Sequence, residues 1–144
     1  MGWQPDREEL AWAAGFFDGE GCFSWATKGR FGCAVIAQTD RAALDRFQAA
    51  VASIGKTYGP YAQRQRDGWN RKHRWSYRVH RREEVQAVAA LLWFKLGAIR
   101  RAQATKILLD HPRTCRRGHD LMPGARRCPR CVAAAWAAKR TDTR

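Results

Sequence analysis

The fold of this chain is read most directly from Leu10-Ala11-Trp12-Ala13-Ala14-Gly15-Phe16-Phe17-Asp18-Gly19-Glu20-Gly21-Cys22-Phe23. Leu10, Ala13, Ala14 and Phe17 recur at helical spacing and make one apolar stripe. Ala11 and Gly15 continue small residues around a second side, and Trp12 and Phe16 fill a third. A helix apolar on every side must be covered on every side, by its own core on one and by something else on the other. Ala11 and Gly15 are four residues apart, so a second helix is expected to approach closely along that strip. Upstream, Asp6 is placed to cap the helix, with Glu9 three residues on in a capping-box-like pattern. Downstream, the helix is expected to stop at Asp18-Gly19-Glu20-Gly21. The glycines bracket an acid at the negative end of the helix dipole. Carboxylate and carbonyl oxygens converging there favour a divalent cation.

Beyond this segment, residues 22–27 and 31–38 are β-rich and flank Lys28-Gly29-Arg30, which reads as a hairpin. Asp40 caps a helix in which Leu44, Phe47, Val51 and Ile54 repeat at helical spacing, with Gly55 as its C-cap. Strands near 57–66 and 73–80 follow, joined by the turn-rich Asp67-Gly68-Trp69-Asn70. In the second, Trp75, Tyr77 and Val79 alternate with Arg74, Ser76 and Arg78, giving a core face and a cationic face. Helices at Glu83–Phe94 and Ala98–Leu109 complete an α-β-β-α-β-β-α-α order, an α+β domain with one antiparallel sheet.

The charge says what such a domain meets. Of 144 residues, 27 are Lys or Arg and 13 are Asp or Glu, a formal net charge of +14. Residues 1–20 hold five acids and one base, so the remainder carries 26 bases against eight acids. Eight bases fall between Tyr61 and Arg82 and nine lie from His111 onward. Arginine dominates both stretches, which suits bidentate contacts to phosphate and to guanine edges. Charge this one-sided repels itself unless a polyanion is the partner, so nucleic acid is expected. The longest apolar runs, Leu10–Phe17 and Val85–Phe94, fall short of the roughly 20 residues of a membrane span. The acidic start MGWQPDREEL has no apolar leader, so a cytoplasmic protein is expected.

The quoted stretch resembles the LAGLIDADG motif of homing endonucleases, in its GFxDGEGxF form. The element order over residues 6–110 is similar to that family's αββαββα(α) fold. With one motif copy, the resemblance implies a homodimer in which two such helices pack together, through Ala11, Ala14, Gly15 and Asp18. It implies Glu20 as the metal-binding and catalytic carboxylate, with the Gly19 carbonyl beside it, and Asp18 as a structural acid at the helix end. Gln38 resembles the family's polar residue that positions solvent. Arg100 is the best match to the basic residue near the scissile phosphate, with Lys95 as rival. The implied activity is site-specific, Mg2+- or Mn2+-dependent hydrolysis of double-stranded DNA at a long, partly palindromic site. Lys28, Arg30, Arg64, Arg66, Arg74, Ser76 and Arg78 are the expected DNA contacts on the sheet. Two other activities fit the same scaffold: an RNA-binding maturase for intron splicing, and a DNA-binding regulator that has lost cleavage.

The tail carries a separate signal. Cys115-x3-His119 followed by Cys128-Pro129-Arg130-Cys131 supplies four ligands suited to tetrahedral, structural Zn2+. Cys115-Arg116-Arg117-Gly118-His119 resembles the CxxGH zinc ribbons that accompany phage and bacterial endonucleases. Residues 1–111 are thus expected to form the endonuclease-like domain and 112–144 a zinc module with a C-terminal helix. Arg116, Arg117 and Arg127 are expected to touch DNA. Cys22 and Cys33 fall on adjoining strands, where a disulfide and reduced thiols both fit the spacing; a reducing cytosol favours the thiols.

Overall fold

The computed structural model describes residues 4–25, 32–62, 72–109, 113–121 and 127–141. Helix α1 (Arg7–Glu20) begins at Asp6, whose Oδ1 accepts from Glu8 N at 2.8 Å and Glu9 N at 3.3 Å. Glu9 does not close a capping box. Its carboxylate instead accepts from Arg46 Nε and NH2 at 2.9 and 2.8 Å, tying α1 to α2 (Arg41–Ala50). The first helix also runs further than its sequence suggests, through Asp18 and Gly19 to Glu20, with Gly21 as C-cap.

Strands β1 (Gly21–Trp25), β2 (Gly32–Gln38), β3 (Lys56–Tyr61) and β4 (Arg74–Val79) form one antiparallel sheet in the order β1-β2-β4-β3. The register aligns Gly21 with Ile36 and Ile36 with Tyr77, which in turn faces Thr57. Because side chains alternate, Phe23, Ala34, Ile36, Tyr77 and Val79 point to one face. There they meet α1, α2, α3 (Arg82–Leu92) and α4 (Ala98–Leu109) in a single apolar cluster. Phe47 sits at its centre, 5.9 Å from Phe17 and 5.0 Å from Tyr77 between ring centroids. The Tyr77 hydroxyl donates to Ile54 O at 2.8 Å, which satisfies its only polar group in the core. The two hairpin turns anticipated at Lys28–Arg30 and Asp67–Asn70 lie outside the described residues.

Helix α2 is shorter than its periodicity indicates. It ends at Ala50, and Ala52 and Ser53 take left-handed backbone angles, φ 58° and 57°. Val51 still reaches the core, fully buried, so the 44–47–51 spacing continues beyond the helix that generated it. Gly55 is therefore not a helix cap. Its φ is +82°, and a Cβ there would come within 2.7 Å of Val79 and 2.8 Å of the Tyr77 ring. It is glycine because the turn lies directly on the core.

The tail forms a two-stranded ribbon, β5 (Arg113–Thr114) with β6 (Asp120–Leu121), followed by helix α5 (Pro129–Thr141). Among the described residues no helix is long and apolar enough to cross a membrane.

Candidate functional site

The C-terminal end of α1 meets the first strand at a point fixed by one aromatic ring. Gly21 N donates to Phe17 O, and a Cβ on Gly21 would lie 2.5 Å from the Phe17 ring. The chain must therefore turn into β1 at this glycine, and Glu20, just before it, is left exposed at the end of the sheet. Gln38 ends β2 at the same end, since β2 runs antiparallel to β1. Its Oε1 accepts from Thr39 N at 2.7 Å and Thr39 Oγ1 at 3.3 Å, so the side-chain carbonyl turns back on its own chain.

Helix α4 holds this corner from the other side. Asp18 Oδ2 accepts from Gly97 N at 2.8 Å, and a Cβ on Gly97 would come within 3.2 Å of that carboxylate. Arg100 NH2 donates to Asp18 O at 3.0 Å, and Arg100 NH1 donates to Gln103 Oε1 at 3.2 Å. The same Gln103 oxygen accepts from Phe23 N at 3.3 Å, on the free edge of β1. Points on both sides of Gly19-Glu20-Gly21 are thus bound to one helix. Sequence reasoning missed Gln103 and Gly97; the i,i+3 spacing of Arg100 and Gln103 is the signal that places them on one helix face. Two buried atoms here have no hydrogen-bond partner among the described residues, Asp18 Oδ1 and Arg100 Nε. A carboxylate oxygen and a guanidinium nitrogen left over at one corner match a site completed by solvent, a cation or a phosphate. The oxygen donors at this corner, the Glu20 carboxylate and the Gly19 carbonyl, suit a hard divalent cation such as Mg2+. Lys95 is exposed in the link between α3 and α4.

The faces of α1 differ in what covers them. Trp12 stacks on Phe16 at 5.1 Å, and the Arg46 guanidinium lies 4.0 Å over the Trp12 ring, so that side is covered by α2. Ala14, expected at a partner helix, is fully buried in its own core because it lies on the stripe with Ala13 and Phe17. Asp18 is half-buried and bound to Gly97. Ala11, Gly15 and Gly19, spaced by four, remain exposed, and a Cβ at Gly15 or Gly19 would meet nothing within 4 Å. Nothing within the described residues requires glycine at either position.

On the sheet face opposite the helices, Arg74 is exposed and Arg78 half-buried. Ser76 is 3% exposed with its Oγ accepting from Arg78 Nε at 2.9 Å, so it supports the arginine and is too buried to touch DNA itself. Lys28, Arg30, Arg64 and Arg66 lie outside the described residues. Cys22 and Cys33 are free thiols on that face, and register offsets them, Cys22 facing Val35 and Cys33 facing Ser24.

In the tail the four expected ligands converge, all ligand atoms lying within 4.8 Å of one another. Cys115 and Cys131 sulfurs are 3.7 Å apart, and His119 Nδ1 lies 3.6, 3.6 and 3.4 Å from the sulfurs of Cys115, Cys128 and Cys131. Tetrahedral Zn2+ requires about 3.8 Å between sulfurs and about 3.5 Å between sulfur and nitrogen. The cluster fits. Gly118, at φ +76°, lets the loop fold back so that Cys115 N donates to His119 O and Arg117 N to Cys115 Sγ, at 2.8 and 3.4 Å. Desolvation raises the Cys115 thiol, but hydrogen bonds from the Arg117 and His119 backbone and from Cys131 and Cys128 outweigh it and bring it down to about 6. Desolvation, then hydrogen bonding to Cys115 and Cys128, pushes Cys131 up to about 11. Arg116, Arg117 and Arg127 are exposed around this cluster.

These features match a known fold and motif. A family model described as LAGLIDADG-like domain matches residues 7–92, more than half of the chain. The chain belongs to the LAGLIDADG-like domain family. Among solved structures it is similar to the homing endonuclease I-CvuI in complex with the I-CreI target in 2 mM Mg, with the DNA not cleaved. That match has 21% identity and a TM-score of 0.50 over 72% of this chain and 65% of that one. I-CvuI with its own target in 2 mM Ca gives 21% identity and a TM-score of 0.51 over 71% of this chain and 64% of that one. The homing endonuclease I-TnaI gives 18% identity and a TM-score of 0.51 over 74% and 70%. The chain thus spans slightly less than two thirds of the I-CvuI chains. At these identities the likeness is one of fold. No curated protein matches the chain in sequence.

Proposed function

We propose that this protein is a homodimeric, metal-dependent, site-specific endonuclease of double-stranded DNA, with residues 112–144 forming an added zinc module. The observation that carries this reading is the corner at Glu20. An exposed carboxylate stands at the end of a helix whose small-residue strip, Ala11-Gly15-Gly19, is open to a second copy. Two such helices packed along that strip bring two Glu20 carboxylates to one centre. Divalent ions held there would supply charge stabilisation at the attacking water and the leaving 3′ oxygen of a phosphodiester. Glu20 and the Gly19 carbonyl would provide the oxygen ligands. Arg100 adds positive charge at the same corner, its guanidinium anchored by Asp18 O and Gln103. Gln38, whose Oε1 is taken by Thr39, would orient solvent through its Nε2 from the end of β2. The tail's three thiols and one imidazole leave no open coordination position, so Zn2+ would be structural, and its rim arginines would meet phosphates.

The test is cleavage of a library of DNA duplexes by the purified protein in Mg2+, compared with Glu20→Gln. The variant should keep fold, dimer and DNA affinity, because Glu20 is exposed, and should lose activity on the order of 10^3-fold. Undiminished cutting by the variant would refute the assignment.

A further inference from the structure

Gln103, half-buried on α4, uses one atom for two bonds. Its Oε1 accepts from Phe23 N at 3.3 Å and from Arg100 NH1 at 3.2 Å. Phe23 lies on β1, an edge strand, so this N–H has no neighbouring strand to take it and would otherwise be left to solvent. The Phe23 ring is already fixed in the core, 4.7 Å from the Phe17 ring. Arg100 reaches the other way, its NH2 donating to Asp18 O at 3.0 Å. A run of three hydrogen bonds, from Asp18 O through Arg100 and Gln103 to Phe23 N, therefore spans Glu20.

What distinguishes this run is the charge type of its acceptors. Arg100 is held by a backbone carbonyl and an amide carbonyl, both neutral. Among the described residues the ion pairs are Arg41–Asp45 and Arg46–Glu9, and Arg100 is in neither. Arg46 is the contrast, its Nε and NH2 both donating to the Glu9 carboxylate, which balances its charge. Arg100 is thus immobilised, half-buried and uncompensated. Such a cation is unfavourable by itself, and an anion brought to the same corner relieves it. Bracing β1 against α4 would not need a cation at all. A neutral amide at 103 is the side chain that holds Arg100 without balancing it. Glu would accept the same two bonds but form an ion pair with the guanidinium. Met would fill the space and leave Phe23 N–H and Arg100 NH1 without this acceptor.

We propose that Gln103 is a positioning residue for cleavage: it aims the Arg100 guanidinium, with its charge uncompensated, at the Glu20 corner and ties that aim to the start of β1. Gln103 itself touches neither phosphate nor metal in this scheme and acts through Arg100. The inference rests on the endonuclease reading above.

The experiment uses the full chain and a duplex selected from a library because the wild type cuts it, with single-turnover cleavage in Mg2+ at saturating protein. Gln103→Glu should keep the thermal transition and the Phe23 bond, yet slow cleavage on the order of 10^2-fold, because the guanidinium is now balanced. Gln103→Met should slow it by about 100-fold through lost aim. Adding Gln103→Met to Arg100→Ala should cost nothing beyond the loss from Arg100→Ala alone, since the group being positioned is gone. Amide hydrogen exchange at Phe23 reads the β1 bond apart from activity. It should speed up in Gln103→Met and stay slow in Gln103→Glu. Thr105→Ala, a neighbour on α4, should leave the cleavage rate unchanged. Wild-type cleavage by Gln103→Glu, or a Gln103→Met loss that multiplies in full with that of Arg100→Ala, would make Gln103 a brace of β1 only. Either result would overturn the assignment and leave the endonuclease reading standing, as would full activity in Arg100→Ala. No duplex cut by the wild type would overturn both.

Discussion

Two regions of the protein differ in what they have to bury. In the first, the described residues between 7 and 109 surround an apolar cluster in which Ala13, Phe17, Ile36, Phe47, Tyr77 and Leu92 are each essentially fully buried. In the second, the tail, Cys128 is the buried hydrophobic residue among those described, and Val132 and Trp136 stand 38% and 63% exposed. A core of that size cannot offset the entropy of ordering a ribbon and a 13-residue helix. The tail instead converges four ligand atoms to metal-binding distances. One chain thus buries apolar residues where it has them, and where it has few it brings together four side chains that could hold a metal ion. Each strategy leaves different groups free for function. The first region presents a sheet face and a helix end, the second a rim of arginines.

If the two regions are stabilised independently, they should respond to perturbation independently. Removing Zn2+ with a chelator should have the largest effect, since structural zinc supplies roughly 10–16 kcal/mol in zinc-finger peptides. Circular dichroism should show loss of a helix the length of α5, while the main thermal transition stays. A single transition that vanishes with the chelator would show that the two regions fold as one. Conversely, Phe47→Ala should destabilise the first region by about 3–5 kcal/mol in denaturant titration. Zinc stoichiometry and affinity should be unaltered, and a parallel loss of zinc would contradict independence.

Gly15→Leu should act with opposite signs on monomer and dimer. The helix gains about 1 kcal/mol of intrinsic propensity and meets no clash within the described residues. Light scattering should nevertheless report a monomer, because the strip facing the second copy is blocked. An intact dimer would move the interface away from Ala11-Gly15-Gly19. The smallest effect is expected from truncation after Pro112. The remaining chain should stay folded, dimeric and able to cleave, with weaker DNA binding and a salt slope reduced by about 0.9 for each phosphate that the tail neutralises. Unchanged slope would assign the tail to a protein partner.

Much of this was legible in the linear chain because it depends on local periodicity and spacing. The 10–17 stripe, the alternation at Arg74–Val79 and the Cys115/His119/Cys128/Cys131 spacing each concern side chains whose geometry is set within a few bonds of backbone. Helix α4 occupies the span its pattern indicates, Ala98–Leu109. Helix ends are less legible, because the last turn is decided by what it packs on. The first helix continues to Glu20 since Phe17 must lie against Gly21, and α2 stops at Ala50 since Val51 reaches the core without further helical turns.

The class of the fold, the acid at the end of the first helix and the Cys/His cluster of the tail were all present in the amino-acid order. Each follows from residue types at fixed separations, which survive any global arrangement. That Ala14 lies in its own core and not at a partner helix emerged only on folding, when its stripe with Ala13 and Phe17 closed on the sheet. The same holds for Ser76 as an arginine's support and for Gln103 joining Phe23 to Arg100 across 80 residues of chain. Those relations are contacts between distant segments. Sheet register and helix docking create them, and no local pattern encodes either.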